Sequence, residues 1–232
     1  MPDYGEREYW DQRYIEEKDG RIYFDWYHGY KNLKGFLNKF MKKQDKILMI
    51  GCGNSKLGSE MYSDSYSDII NIDFSEPLIE YMKELDKGKV GLEYLTMDGR
   101  NMVEFQDSLF DQVFDKGTLD AVMCSDDDNN NAKQICLEVS RVLKPGGFFI
   151  VMTYGAPESR LPILEKSIHN WTVTMRMGGA TVKSQMNQCH YIYICHKNGL
   201  DGQKEGREFP SEIFNHFLTS SLGEVPLEVL SP

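Results

Sequence analysis

The sequence contains no Cys-x-x-Cys pair, and its number of cysteines is odd. A zinc site built from thiolates needs closely spaced cysteines, and a disulfide framework needs an even number of them. We therefore expect no structural metal and no disulfides, but buried free thiols in a reducing compartment. The five cysteines are Cys52, Cys124, Cys136, Cys189 and Cys195.

Basic residues are too few to give the chain a broad positive face. The 232 residues include 26 Lys and Arg against 36 Asp and Glu, which gives a formal net charge of -10. A surface that binds nucleic acid needs a basic face, so we expect no nucleic-acid partner. A basic segment of another protein remains compatible with this charge.

Long apolar runs are also absent. A helix that spans a bilayer needs about 18 or more consecutive apolar residues, and no segment approaches that length. Residues 1–25 are polar and charged, unlike a secretory signal peptide. These absences predict a cytoplasmic protein that does not contact membranes.

The chain does contain a regular alternation of apolar strands and amphipathic helices. This alternation predicts a doubly wound α/β domain with a mainly parallel sheet. A turn at 145–147 is predicted before the fifth strand, and a helix at 158–169 after it. A hairpin of 172–177 with 190–195 is then expected. The five strands are predicted at 46–50, 69–72, 92–96, 110–114 and 148–153.

The length suits one well-buried α/β domain and is short for two. Residues 1–45 form an N-terminal segment that is rich in aromatics, includes the first helix and belongs to the same domain. Residues 46–198 form the core of that domain. Residues 199–232 are predicted to be a polar, glycine-rich linker and a C-terminal extension.

The first strand runs directly into Gly51-Cys52-Gly53-Asn54-Ser55. Glycines let a backbone turn approach a ligand closely, so this turn predicts the floor of a nucleotide-like cofactor site. The dinucleotide pattern G-x-G-x-x-G requires a third glycine where Lys56 stands. Its absence favours a cofactor without a pyrophosphate. S-adenosylmethionine fits, because it has a ribose diol, an adenine amine and an amino-acid end.

Carboxylates follow three successive strands, at Asp73, Asp98 and Asp115. The carboxyl ends of parallel strands meet at the edge of the sheet where ligands bind. Asp73 is placed to accept hydrogen bonds from two ribose hydroxyls, and Asp98 to accept one from an exocyclic amine. An isolated Asp after a strand is also a common turn residue, but the ordered pair after the glycine turn favours an adenosine site.

Aromatic side chains are dense in the first 27 residues. A short helix over 8–14 would place Trp10 and Tyr14 on one face. Composition alone favours packing of these rings on the domain over contact with a ligand, and both interpretations stay open at this point.

Several of these segments together resemble the class I, seven-stranded S-adenosylmethionine-dependent methyltransferases. They are Ile47–Ser55, Asn71–Asp73, Thr96–Asp98, Asp115–Ala121 and Val142–Gly147. A more specific likeness is to the elongation factor 1-alpha lysine methyltransferases of the methyltransferase-like-13 and endothelin-converting-enzyme-2-associated type. It is carried by Glu8–Tyr14, Phe24–Tyr27, Gly51–Ser55 and Lys116–Ala121. The chain departs from many methyltransferases at Met49, where they have an acid, and at Ser55, where they have glycine.

The resemblance implies a Rossmann-like, doubly wound sheet of seven mostly parallel strands in the order 3-2-1-4-5-7-6. Helices cover both faces, and the aromatic N-terminus acts as a lid. The implied cofactor is S-adenosylmethionine, with S-adenosylhomocysteine as product. The cofactor-binding residues that it implies are Trp10, Tyr14, Trp26, Gly51, Cys52, Gly53, Asn54, Asp73, Phe74, Asp98, Gly99 and Lys116.

The implied reaction is methyl transfer to a lysine ε-amine of a protein such as translation elongation factor 1-alpha. We expect a monomer that binds a basic segment of this substrate and uses no metal. Asp115 and Thr118 are the candidates for the wall around the target amine, and the acidic run 126–128 is either an attraction for a basic segment or a solvated loop. A methyltransferase for a small molecule or another substrate, and a cofactor-binding protein without catalysis, remain alternatives.

Overall fold

The computed structural model of the chain describes residues 4–17, 23–124, 129–178 and 190–199. The predicted acidic run 126–128 and nearly all of the C-terminal extension lie outside these residues. The strands are β1 (Lys46–Ile50), β2 (Asp68–Asp73), β3 (Leu92–Thr96), β4 (Phe110–Lys116), β5 (Leu143–Thr153), β6 (Trp171–Gly178) and β7 (His190–Lys197). The helices are α1 (Arg7–Glu17), α2 (Tyr30–Phe40), α3 (Leu57–Ser63), α4 (Glu76–Leu85), α5 (Thr118–Val122), α6 (Asn130–Val142) and α7 (Pro157–Leu164).

All seven strands form one sheet in the order β3-β2-β1-β4-β5-β7-β6, which confirms the expected fold. The first five strands pair in parallel. Strand β7 is antiparallel to both of its neighbours, β5 and β6. The predicted hairpin is therefore confirmed, and its second strand lies between β5 and β6.

The sheet is covered on both faces, and β1 shows why its sequence is continuously apolar. Ile47 and Met49 belong to an apolar cluster with residues of α2, α3 and α4. Leu48 and Ile50 belong to a second cluster, with residues of α5, α6 and α7. Because successive side chains of a strand point to opposite faces, both sets must be apolar. Each such side chain contributes about 1.5–3 kcal/mol by its burial.

The predicted turn at 145–147 is wrong, because these residues lie inside β5. Gly146 has a φ of 78°, and the register of β5 against β4 is irregular between Phe110 and Gln112. An extra residue in a bulge lets a strand continue through a local bend. The Pro-Gly-Gly sequence therefore lies within an irregular part of β5, where β5 advances from Leu143 to Phe148 while β4 advances only from Phe110 to Gln112.

The predicted helix at 158–169 is two elements, α7 and a 3-10 turn at Ser167–His169. Side chains that follow α7 bind its last carbonyls. His169 Nε2 lies 3.1 Å from the oxygen of Ile163, and Trp171 Nε1 donates to the oxygen of Leu164 at 2.6 Å. These partners replace the backbone N–H groups that would have continued the helix.

Within the described part of the chain, no helix is both long enough and apolar enough to cross a membrane.

Candidate active site

An open cleft lies at the carboxyl ends of β1 to β4. Its floor is the turn after β1, its sides are the turns after β2, β3 and β4, and its cover is the N-terminal segment. All twelve residues expected to bind the cofactor line this cleft: Trp10, Tyr14, Trp26, Gly51, Cys52, Gly53, Asn54, Asp73, Phe74, Asp98, Gly99 and Lys116. The structure thus brings the whole predicted set together.

The floor of the cleft requires glycine at position 51. Gly51 has a φ of 56°, and an added Cβ would lie 2.1 Å from Oγ1 of Thr118. Thr118 lies this close because its hydroxyl donates to the carbonyl of Ile50 at 3.0 Å. Gly53 has a φ of 52°, and an added Cβ would lie 3.2 Å from the hydroxyl oxygen of Tyr14. The bare turn can therefore approach a ligand closely.

Asp73 is buried at the end of β2 and holds the floor in place. One carboxylate oxygen accepts from the backbone N–H of Gly53 and the other from that of Ser75, each at 3.0 Å. Burial raises the pKa of Asp73 to about 6, although these two bonds oppose the shift. The backbone N–H groups do not use the whole acceptor capacity of the carboxylate, which can still accept from a diol.

The raised pKa of Asp73 predicts a pH-dependent affinity for the cofactor. Because the folded-state pKa exceeds the ordinary value of about 3.9, the fold favours the protonated form. Stability from this group is therefore full below about pH 4 and decreases as the pH rises to about 6. The ionised form is the better acceptor, so affinity should change in the opposite direction and rise about tenfold between pH 5 and 7.

Calorimetric titration with S-adenosylhomocysteine at pH 5, 6 and 7 measures this change. The variant Asp73→Asn is the control, because its weaker affinity should be constant over that range. A wild-type affinity that is equally constant would contradict the acceptor role of the carboxylate.

Asp98 follows β3 and is bound to a residue that was not predicted as part of the site. Arg100 donates to both carboxylate oxygens, with Nη2 at 2.6 Å and Nε at 2.9 Å, and also reaches Asn131 at 3.0 Å. Although burial acts in the opposite direction, these bonds from Arg100 hold the pKa of Asp98 below its ordinary value. Asp98 is therefore an ionised, oriented acceptor at the wall of the cleft.

The aromatic cover consists of rings from α1 and from residues 23–29. Trp10 is 9% exposed, stacks on Tyr14 with ring centroids 5.7 Å apart, and donates to the carbonyl of Tyr4 at 2.7 Å. The Arg13 guanidinium lies over the rings of Trp10 and Phe24. Trp10 thus packs on the domain and lines the cleft at once, so the two interpretations of the sequence are compatible. Further lining residues, absent from the predicted set, include Tyr4, Arg13, Phe24 and Arg100.

A group that we call the latch, Asp25, Ser55 and Lys116, ties the cover to the strand ends. Lys116 Nζ donates to Asp25 at 2.9 Å and to the carbonyl of Trp26 at 3.1 Å, and the Ser55 hydroxyl also donates to Asp25. The Lys116 side chain is only 7% exposed. Burial lowers the pKa of Lys116, and Asp25 opposes that shift.

The latch should matter for both the fold and the cofactor. The change Asp25→Ala leaves a buried ammonium without its carboxylate, so we expect the free energy of unfolding to fall by about 1–3 kcal/mol. Affinity for S-adenosylhomocysteine should fall several-fold, because residues 23–29 lose their attachment over the cleft. Denaturant unfolding and calorimetry measure the two effects.

The control for the latch is Asp107→Ala, which removes the 77% exposed partner of Arg141. An exposed ion pair is worth about 0–1 kcal/mol, and this one lies before the amino end of β4. If Asp25→Ala behaves like this control in both measurements, the latch has no role.

The two candidates for the wall around the target amine are placed differently. Asp115 is fully buried, accepts from the N–H of Leu119 at 3.1 Å and does not line the cleft. Burial and the nearby Asp120 raise the pKa of Asp115 to about 8. Thr118 does line the cleft, but its hydroxyl is bound to Ile50. Asp115 therefore supports α5 from below the cleft, and Thr118 closes its floor.

A family model described as "Methyltransferase domain" matches residues 41–209. The human eEF1A lysine and N-terminal methyltransferase is 37% identical over 174 residues, which cover 73% of this chain and 24% of that protein. The chain thus spans about a quarter of the length of that relative. Mouse EEF1A lysine methyltransferase 4 is 32% identical over 202 residues, which cover 84% of this chain and 76% of the mouse protein.

Solved structures show the same fold at lower identity. A SAM-dependent methyltransferase from Methanosarcina mazei has a TM-score of 0.56 at 19% identity, covering 70% of this chain and 97% of its own. Phosphoethanolamine N-methyltransferase 2 from Haemonchus contortus, solved with S-adenosylhomocysteine, has a TM-score of 0.58 at 15% identity. The match covers 85% of this chain and 60% of the Haemonchus protein. The solved structures confirm the fold, and the family model and the mouse relative confirm the S-adenosylmethionine-dependent methyltransferase family that the sequence resemblance implied. Because the family model spans most of its length, the chain belongs to the methyltransferase-domain family.

Proposed function

We propose that the chain transfers a methyl group from S-adenosylmethionine to a lysine ε-amine of a protein, with a basic segment of elongation factor 1-alpha as its first candidate substrate. The observation that carries the substrate class is the likeness to mouse EEF1A lysine methyltransferase 4 over 84% of this chain. The net charge of -10 favours encounter with a basic segment. We further propose a monomer in the cytoplasm.

The residues of the cleft fit the cofactor. The bare turn at Gly51 and Gly53 leaves room for its amino-acid end, the buried carboxylate of Asp73 suits the ribose diol, and Asp98 suits the adenine amine. Trp10 and Trp26 exclude water from above. When bound, the cofactor supplies a methyl group on a sulfonium, which is electrophilic without a metal.

The protein must present the target amine in its neutral form. For an amine of pKa about 10.4, deprotonation near pH 7 costs about 5 kcal/mol. Alignment of the neutral amine with the methyl group then supplies most of the remaining rate advantage. The rim of the cleft is therefore expected to favour an uncharged amine.

The test is incubation of the purified chain with radiolabelled S-adenosylmethionine and purified elongation factor 1-alpha, followed by mass spectrometry of the labelled protein. We expect label on a lysine. The matched control is Gly51→Ala, in which the floor of the cleft is blocked. Label on another protein from a lysate would replace the candidate substrate, and label on a small molecule or nucleic acid would overturn the protein-lysine proposal. Cofactor binding without any labelled product would overturn the enzyme proposal.

A further inference from the structure

A network of part-buried hydrogen bonds lies beside the cleft and is not used by the cofactor residues. Its centre is Asp120 on α5, which accepts from the hydroxyls of Tyr27 and Thr153 and from Nη2 of Arg160 at 2.5 Å. Arg160 is 6% exposed, and glycine at 155 leaves room for it, because an added Cβ would lie 2.1 Å from its guanidinium carbon. Asp120 itself is 22% exposed, and its several hydrogen bonds hold the members of the network in fixed positions.

The network holds Tyr27 at the rim of the cleft. Cε2 of Tyr27 lies 3.5 Å from the position of a Cβ added to Gly117, and Gly117 lines the cleft at the end of β4. The ring of Tyr154 stands edge-on to that of Tyr27, with centroids 4.7 Å apart. Tyr154 is 52% exposed. We call Tyr27, Asp120 and Tyr154 the aromatic corner. One side of it faces solvent and another adjoins the cleft.

Tyr27 has a strained backbone, with a φ of 64°. A bulky residue in this region costs about 1–3 kcal/mol and persists only where surrounding contacts fix it. Here the fixing contacts are the bond from the Tyr27 hydroxyl to Asp120 and the bond from the Tyr154 N–H to the Tyr27 oxygen at 3.1 Å. A phenol oxygen with one donor bound can accept a further hydrogen bond, and an amine N–H is a suitable donor.

The charges at the corner are balanced. Asp120 is paired with Arg160, and Asp115, with its pKa raised to about 8 by burial and by Asp120, is mostly uncharged at neutral pH. Burial lowers the pKa of His190 to about 4 and also lowers that of His28. Burial and Asp120 keep the pKa of Tyr27 well above its ordinary value. The corner therefore offers ring faces and a neutral acceptor without a net negative charge that would retain a proton on a bound amine.

We propose that the aromatic corner is the binding site for the target amine, with the rings of Tyr27 and Tyr154 flanking the alkyl-amine end of a lysine and the Tyr27 oxygen accepting from its nitrogen. The inference rests on the proposed function for the identity of the substrate as a lysine. Tyr27 and Tyr154 contact the amine, whereas Asp120, Thr153 and Arg160 are positioning residues that fix the Tyr27 hydroxyl.

The first test compares Tyr27→Phe and Tyr154→Ala with wild type in methylation of the lysine substrate and in binding of S-adenosylhomocysteine. We expect kcat/KM to fall at least tenfold in both variants. The Kd for S-adenosylhomocysteine should stay within twofold in Tyr154→Ala, because Tyr154 lies outside the cover and does not line the cleft. The variant Tyr154→Phe, which restores the ring, should recover most of the loss seen in Tyr154→Ala. Ile168→Ala, at a 68% exposed position outside the cleft, is the control. The proposal is overturned if kcat/KM of Tyr27→Phe and Tyr154→Ala stays within twofold of wild type. It is also overturned if the cofactor affinity of Tyr154→Ala falls as much as its kcat/KM.

The second test does not need a methyl acceptor and so separates this proposal from the proposed function. n-Butylamine, whose neutral form has the end of a deprotonated lysine side chain, is titrated into the protein loaded with S-adenosylhomocysteine at a pH where part of the amine is neutral, and amide shifts are followed by NMR. We expect saturable shifts at Tyr27, Asp120 and Tyr154 that weaken several-fold in Tyr154→Ala, and no such shifts with n-butanol. Saturation at the corner in a protein that labels no lysine would leave the amine site standing and overturn only the substrate. Lysine labelling without shifts at the corner would leave the proposed substrate standing and overturn only the amine site.

Discussion

Replacing Gly51 with alanine is expected to abolish cofactor binding and to lower the free energy of unfolding by about 3 kcal/mol or more. Two costs add. A residue with a Cβ at a φ of 56° pays roughly 1–2 kcal/mol for its backbone conformation, and overpacking costs about 1–3 kcal/mol. The overpacking is severe, because the new Cβ would lie 2.1 Å from Thr118 Oγ1 and 2.9 Å from Thr118 Cβ. Thr118 can yield only by breaking its bond to Ile50, which would deform the floor of the cleft.

The chain offers a matched control at Gly88. Its φ is 86°, and no atom lies within 4 Å of an added Cβ. Gly88→Ala therefore carries the backbone cost without the collision, so we expect a loss of about 1–2 kcal/mol and unchanged affinity for S-adenosylhomocysteine. Denaturant unfolding and calorimetry measure both variants. Equal losses of stability, or normal binding by Gly51→Ala, would show that contact with Thr118 does not determine this position.

The change Asp73→Ala is expected to lower cofactor affinity at least tenfold and as much as about a hundredfold, which corresponds to about 1–3 kcal/mol. The carboxylate would be lost as an acceptor for the ribose diol. The N–H groups of Gly53 and Ser75 would also lose their partner, so the turn that supports the ligand would relax. An unpaired buried N–H costs about 1–3 kcal/mol, and stability should therefore fall as well.

Asp86 separates these two effects. It is a buried carboxylate, 5% exposed, that accepts from Ser59, Lys89 and Tyr94 but does not line the cleft. Asp86→Ala should reduce stability at least as much as Asp73→Ala and leave the calorimetric Kd unchanged. If the two variants lose affinity in proportion to their loss of stability, Asp73 has no specific role in binding.

The sequence predicts the sheet well because the sheet is determined by local pattern. Ile47 to Ile50 must be apolar on both faces, and such a run is visible without a structure. The position of β7 between β5 and β6 is not visible in this way, and only the resemblance implied it. The bulge at Gly146 escaped prediction because Pro-Gly-Gly suits both a turn and a bulged strand, and its pairing with β4 decides between them.

The cleft was predictable as far as residues follow directly from strand ends. Asp73 and Asp98 lie where the alternation of strands and helices places them. Their partners do not follow from spacing, since the bonds of Asp25 to Lys116 and of Asp120 to Arg160 join residues far apart in the chain. For the same reason the sequence pointed to Asp115 and Thr118 as wall residues and did not point to Asp120. Asp115 lies near the end of β4 and Asp120 lies on α5, but only the packing of Arg160 and Thr153 shows that Asp120 is the carboxylate bound beside the cleft.

The insertion of β7 between β5 and β6 has a consequence for the growing chain on the ribosome. Among the described residues, those that line the cleft all come from the first 135 positions, so this part of the ligand site is synthesised well before residue 190. Until β7 arrives, β5 has only β4 as a neighbour, and its residues Phe148 to Thr153 are all apolar or buried. An unpaired apolar edge of this kind is a template for aggregation. A nascent or truncated polypeptide that ends before β7 therefore needs protection by a chaperone, even when its ligand site is complete.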